Sequence, residues 1–200
     1  MFAQVESGSI TSFPKGNKGI QIGDNNYPRT IYTLWTEAER NAIGIYTVEI
    51  DETNRKDETF YINTDISYAF GSGKVTGSYG TATAKAIADA NAKDENGDDL
   101  DPVIVIKGLK TQYKNQFNLQ AAGLLAPTDW YVVKATEVSG YSVPSAITTY
   151  RAAVRTKVNA METAIDGCAN VEALITLLKY TTNDAGVSSR PLGEFPDEVI

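Results

Sequence analysis

Two hydrophobic periods divide the chain. Up to about residue 81, apolar side chains recur at every second position in short runs: Ile20 and Ile22, then Tyr46, Val48 and Ile50, then the ISYAF and KVTGSY segments at 66–70 and 74–79. Period two places alternate side chains on one face of a strand. The Gly, Pro, Asn and Asp residues between the runs predict turns. From residue 109 the spacing becomes three and four. Leu109, Tyr113, Phe117, Ala121 and Leu124 form one helical stripe. Ile147, Tyr150, Val154, Val158, Met161 and Ile165 form a longer one, and Leu174, Leu177 and Leu178 a third.

Local signals sharpen these elements. Thr36 with Glu39 three residues on reads as a capping box, and Gly44 as the glycine that ends the short helix between them. Ala38, Ala42 and Ile43 are expected to face inward with Trp35. In the strand IYTVEI at 45–50, the face carrying Tyr46, Val48 and Ile50 is expected to bury, and the face carrying Ile45, Thr47 and Glu49 is not. Ala82–Ala92 is alanine-rich, with Ala84, Ile87, Ala88 and Asn91 at helical spacing, so a helix is expected there. Residues 94–99 read as a flexible connector or hairpin tip, and the β-branched run Val103–Ile106 as a buried strand.

Leu124 and Leu125 close the helix from Leu109, and Pro127 and Thr128 start another. Thr128 is expected to cap it and Asp129 to complement its positive end. Trp130 is expected to be a core anchor, sharing a side with Val133 and Glu137. Gly140 breaks this helix and Pro144 opens the longest one. Arg151 and Arg155 lie four apart on its flank. They are expected either to pair with Glu137, Asp129 or Glu162 or to form a partner-binding edge. Asn170 is placed to cap a last helix from Val171 to Tyr180, with Cys168 small and buried before it. The tail 181–200 has no period and reads as an extended arm, loose or laid on a partner. Strands followed by helices make the fold class α+β: a β-rich N-terminal unit with one short helix (1–81), a connector (82–102), a mostly helical C-terminal region (103–180) and the tail.

Composition narrows the function classes. The net charge is −7, and the 18 basic residues are scattered, so nucleic-acid binding is not expected. There is no histidine and a single cysteine, which excludes histidine-dependent triads, histidine zinc sites and an internal disulfide. No apolar run approaches the ~20 residues of a membrane span, and the first residues lack a secretory pattern. The acidic segments 51–58 and 94–99 do not match the oxygen-ligand spacing of a calcium loop. GSGK at 71–74 lies between strands, where no helix N-terminus can meet a phosphate. Neither an enzyme nor a cofactor or metal is expected. Eleven tyrosines and Trp35 in the β-rich half leave a glycan-binding module open as an alternative.

The stretch 124–155 adds a resemblance. Leu124-Leu125, Thr128-Asp129-Trp130, Glu137, Pro144, and Tyr150-Arg151 followed by Val154-Arg155 are similar in order and spacing to the C-terminal segment of tail-fibre assembly proteins of tailed bacteriophages. That family carries a T-D-W helix, a proline-started helix and a Y-R-x-x-[LV]-R block. The likeness covers about residues 107–166, and LGEFP at 192–196 is similar to the family's ending. The segment from Trp35 to Ile45 resembles related phage tail proteins less specifically, and the N-terminal half departs from the family pattern. The resemblance implies a non-catalytic protein that helps a trimeric tail fibre to assemble, or remains at the fibre end. Its expected partner is a fibre or another tail protein, with no membrane or nucleic acid. Homo-oligomers are also open. Its expected location is the virion tail, or the host cytoplasm during assembly. A permanent structural component of the tail, fibre or baseplate is the alternative. Thr128, Asp129, Trp130, Tyr150, Arg151 and Arg155 are the signature residues, with no catalytic role implied.

Overall fold

A computed structural model describes residues 1–199. The fold is α+β, with strands first and helices after. Its backbone clusters into two compact units, one spanning Met1–Thr83 and the other beginning at Ala84.

In the first unit β1 (Phe2–Glu6) and β2 (Ser9–Ser12) form a hairpin, and β3 (Ile20–Ile22) and β4 (Asn25–Tyr27) a smaller one. Two short helices follow, α1 (Ile31–Leu34) and α2 (Glu37–Ala42). The expected capping box is present: Thr36 Oγ1 accepts from the Glu39 N–H, and Glu39 reaches back to the Thr36 N–H at 2.7 Å. Gly44 stands just past α2 at φ +80°, where a Cβ would collide with the carbonyl oxygen of Val5. Next come β5 (Ile45–Asp51), β6 (Tyr61–Ile62), β7 (Ile66–Gly71), β8 (Lys74–Tyr79) and, at the junction, β9 (Thr83–Ala84). The main sheet runs β2-β1-β5-β8-β7, antiparallel except for the parallel β5–β8 pair. Ser72 and Gly73, both at positive φ, turn β7 into β8.

One face of this sheet carries a core along its length, and the other is covered only at the β1–β5 end. Ala3, Val5, Val48 and Val75 pack on one side with Ile10, Tyr46, Tyr68 and Phe70. Ile45 packs on the other with Ile31 and Tyr32 of α1, joined by Phe2, Trp35 and Ile43. The one-face expectation for β5 therefore fails at Ile45, because α1 lies against that end of the strand. Ala38 and Ala42 are exposed, so the inward side of α2 reduces to Ile43 beside Trp35.

In the second unit β10 (Ala90–Asn91) and β11 (Val105–Ile106) form a hairpin, extended by the Ala92 N–H donating to Ile104 O at 2.8 Å. The helix expected at 82–92 is absent. This segment is extended, and its carbonyls serve the next element: Ala86 O and Ile87 O accept from the N–H groups of Leu109 and Lys110. The Asp89 carboxylate accepts from the Gly108 N–H at 2.8 Å. That bond, with Thr111 and the nearby Lys107, holds the Asp89 carboxyl below its ordinary pKa. The segment thus satisfies donors that a helix start leaves without partners. Val103, Ile104, Val105 and Ile106 are each more than half exposed, contrary to the expected buried strand.

Helix α3 (Leu109–Leu125) continues through a 3₁₀ turn (Ala126–Thr128) into α4 (Asp129–Glu137). α5 (Ser145–Asp166) and α6 (Val171–Leu178) complete the helices. The full expected stripe of α5, from Ile147 to Ile165, is buried. α3 and α5 run antiparallel, tied by Lys114–Asp166 (2.8 Å) and Asn118–Glu162 (2.6 Å). Asn170 caps α6 by accepting from the Ala173 N–H at 2.9 Å, and Leu174 is buried beneath it. After α6 the chain makes a hairpin of β12 (Thr181–Thr182) and β13 (Ser188–Ser189). It then folds back on the bundle rather than waiting for a partner: Leu192 is buried, its N–H donates to Leu177 O, and its carbonyl accepts from Lys157 Nζ at 2.8 Å.

Candidate partner-binding site

The end of α3 has a problem that its own residues cannot solve. The last carbonyls of a helix lack internal partners, and here those of Leu124 and Leu125 are drawn into the bundle. α5 supplies the missing donors. Tyr150 Oη donates to Leu124 O at 3.3 Å, and Arg151 Nη1 donates to Leu125 O at 3.0 Å. The same Nη1 donates to Thr128 Oγ1, while the Thr128 hydroxyl donates to Leu125 O at 2.7 Å. Arg151 Nη2 meets Asp129 Oδ1 at 2.8 Å. Arg151 is 8% exposed, and its guanidinium directs its fork at groups of its own chain. A cation at the C-terminal end of α3 also complements the negative end of that helix.

Four of the six signature residues, Thr128, Asp129, Tyr150 and Arg151, are therefore one internal clamp. Thr128 is not the expected side-chain cap of α4. Its backbone is helical (φ −105°, ψ 0°), because the 3₁₀ turn carries α3 straight into α4, and an N-cap needs an extended backbone. Of the acidic partners expected for the arginines, Asp129 is used by Arg151. Glu162 accepts instead from Asn118. Burial pushes the Tyr150 hydroxyl above its ordinary pKa, and the Glu198 carboxylate adds to that shift.

The other two signature residues point outward. Trp130 is 51% exposed, which corrects its expected place in the core. The inward positions of this turn are Thr128, Tyr131 and Ala135, spaced three and four apart, so the side shared by Trp130, Val133 and Glu137 faces solvent. That spacing was available in the sequence; the size of tryptophan outweighed it. The Trp130 ring stacks against Tyr131 at 3.8 Å, and the Lys134 ammonium lies 5.7 Å above Trp130 and 4.5 Å above Tyr141. Val132 and Val133 extend the exposed apolar surface. Arg155 is exposed, and its side chain makes no hydrogen bond or ion pair to any described residue.

A second clamp, which the sequence reading passed over, holds the tail. Arg190 pairs with Glu194 through Nε (2.8 Å) and Nη2 (3.1 Å), and its guanidinium lies 5.2 Å over Phe117 and 4.9 Å over Tyr180. The Arg–Glu spacing of four was its only sequence signal. In the first unit Trp35 is half-buried, edge-on to Tyr27 at 5.9 Å, so its ring contributes to a core and not to an open platform for a sugar. Among the described residues no group of three or more acidic or cysteine side chains could hold a metal ion, and no helix is long and apolar enough to cross a membrane. Comparison with family models, curated proteins and solved structures finds no match to this chain.

Proposed function

We propose that the chain is a non-catalytic bacteriophage tail protein that binds a trimeric tail fibre, as an assembly factor or as a cap that stays with the fibre. The observation that carries this reading is the half-exposed Trp130 on a helix whose base is fixed by a buried arginine. A large aromatic held in place before binding loses little freedom on docking, and such residues dominate the energetics of protein interfaces. The likeness of the T-D-W and Y-R-x-x-V-R blocks to the fibre-assembly family supplies the class of partner. The clamp gives four residues of that pattern, Thr128, Asp129, Tyr150 and Arg151, a common reason for their spacing: Arg151 can reach Leu125, Thr128 and Asp129 only if the spacing is kept.

Co-expression tests the proposal. The chain should raise the yield of soluble fibre trimers from the same phage, and an unchanged yield contradicts it. The alternative role is a permanent component of the tail, fibre or baseplate. Mass spectrometry of purified virions separates the two: stoichiometric presence fits the permanent role, and absence fits a transient one.

A further inference from the structure

Residues 7–23 hold two lysines, Lys15 and Lys18, and no acidic residue, in a chain of net charge −7. Both lie in the loop from Phe13 to Gly19 that joins β2 to β3. Gly16 has φ +71°, and a Cβ there would stand 3.5 Å from ring carbons of both Phe2 and Tyr32. The loop therefore bends over the Phe2–Tyr32 pair, whose ring centres are 4.8 Å apart. Of the acidic residues flanking the stretch, Glu6 accepts from the Gln4 amide at 2.6 Å, and Asp24 lies in the turn between β3 and β4.

This bend borders a cavity of about 550 Å³, the size of a small-molecule site and larger than a simple ion fills. Lys15, Asn17 and Lys18 bring polar groups to its lining, Phe13 apolar surface, and Tyr32 reaches it from α1. Three kinds of donor there are unspent. Neither ammonium pairs with a carboxylate of any described residue. The N–H groups of Lys15, Gly16, Asn17 and Lys18 donate to no described residue. The Tyr32 hydroxyl is buried without a hydrogen-bond partner, a state that native structures rarely leave without a use. Burial raises its pKa, so at neutral pH it is a protonated donor.

Unspent donors and two unpaired cations call for an anion that accepts several hydrogen bonds. Two ammonium groups match the charge of a phosphate monoester, roughly −1.5 to −2 at neutral pH, better than the single charge of a carboxylate. We infer that this cavity binds a small phosphate monoester, such as a sugar phosphate, whose phosphate accepts from Lys15, Lys18, the loop N–H groups and the Tyr32 hydroxyl. The body of the ligand takes the rest of the cavity, against Phe13, which is 41% exposed. The site lies within the first unit and is independent of the fibre-binding proposal, which concerns α4.

Amide NMR titrations of the full chain at constant ionic strength test it. Glucose-6-phosphate should shift the amide signals of residues 15–18 saturably, with a dissociation constant of roughly 0.1–1 mM. Inorganic phosphate, with no body to fill the cavity, should bind at the same amides at least about fivefold more weakly. Lys15→Ala and Lys18→Ala should each weaken binding of the ester by about fivefold, and Lys15→Glu/Lys18→Glu should abolish it with an unchanged far-UV circular dichroism spectrum. Tyr32→Phe should weaken binding by about threefold without lowering the urea midpoint, because the hydroxyl it removes has no partner in the free chain. No saturable shift with glucose-6-phosphate, inorganic phosphate that binds as tightly as the ester, or a Lys15→Glu/Lys18→Glu chain that binds as the wild type does would each overturn the inference.

Discussion

Arg151 and Arg155 are one helical turn apart and carry the same charge, but their surroundings assign them different work. Four residues advance a helix by about 40° beyond a full turn. That rotation moves Arg155 off the margin of the buried stripe where Arg151 sits. Arg151→Ala should therefore destabilise the helical unit by roughly 2 kcal/mol, since Leu125 O and Thr128 Oγ1 each lose a charged donor and keep their bond to each other. Arg155→Ala should change stability by less than about 0.5 kcal/mol. Urea denaturation followed by circular dichroism distinguishes the two. Tyr150 adds a pH dependence. Its folded pKa is raised by burial, so the folded state holds the phenolic proton more tightly than the unfolded chain does. Its contribution is complete below the ordinary value of 10.0 and is lost as pH rises from there through the higher folded value. Tyr150→Phe should flatten the alkaline fall in stability, and the similarly raised Tyr32, Tyr180, Cys168 and Lys114 contribute to what remains. The arginine pair and its acidic candidates were visible in the sequence. Which arginine turns inward was not, because that depends on where the end of α3 falls against α5.

Helices with their own local signals were legible from the sequence; elements whose backbone serves a neighbour were not. α2 carries its capping box and its glycine within nine residues, and both form as read. Thr36→Ala should cost about 1 kcal/mol, measured by thermal or urea unfolding. α3 and α5 follow their stripes. The alanine-rich segment at 82–92 had helical composition but became extended, since Ala86, Ile87 and Asp89 are committed to the start of α3. Propensity is a weak preference against three such bonds. Gly108 marks the junction: a Cβ there would collide with the Ala88 carbonyl. Gly108→Ala should destabilise by more than about 2 kcal/mol, with no comparable loss at the open position of Gly123 in α3. The run at 103–106 failed for a different reason. Hydrophobicity correctly marks it as surface that favours burial, but the layer that would bury it is not supplied by its own hairpin.

For the whole molecule, the segregation of strands before helices was enough to give the α+β class, and the change of period near residue 81 lies close to the division between the two compact units. Function was less legible. The signature block reads in sequence as six residues of one kind, and the structure divides it into four that hold α3, α4 and α5 together and two that face solvent. The division makes the signature informative about binding, because the exposed pair can be changed without disturbing the clamp. For the proposed role, the most direct measurement is the affinity of the purified chain for the proposed partner, a tail-fibre trimer, compared between wild type and Trp130→Ala at matched urea midpoints. The account predicts at least about tenfold weaker binding for Trp130→Ala, the loss of a buried aromatic anchor, with stability changed by less than about 1 kcal/mol. A Trp130→Ala chain that binds the fibre as tightly as the wild type would contradict it.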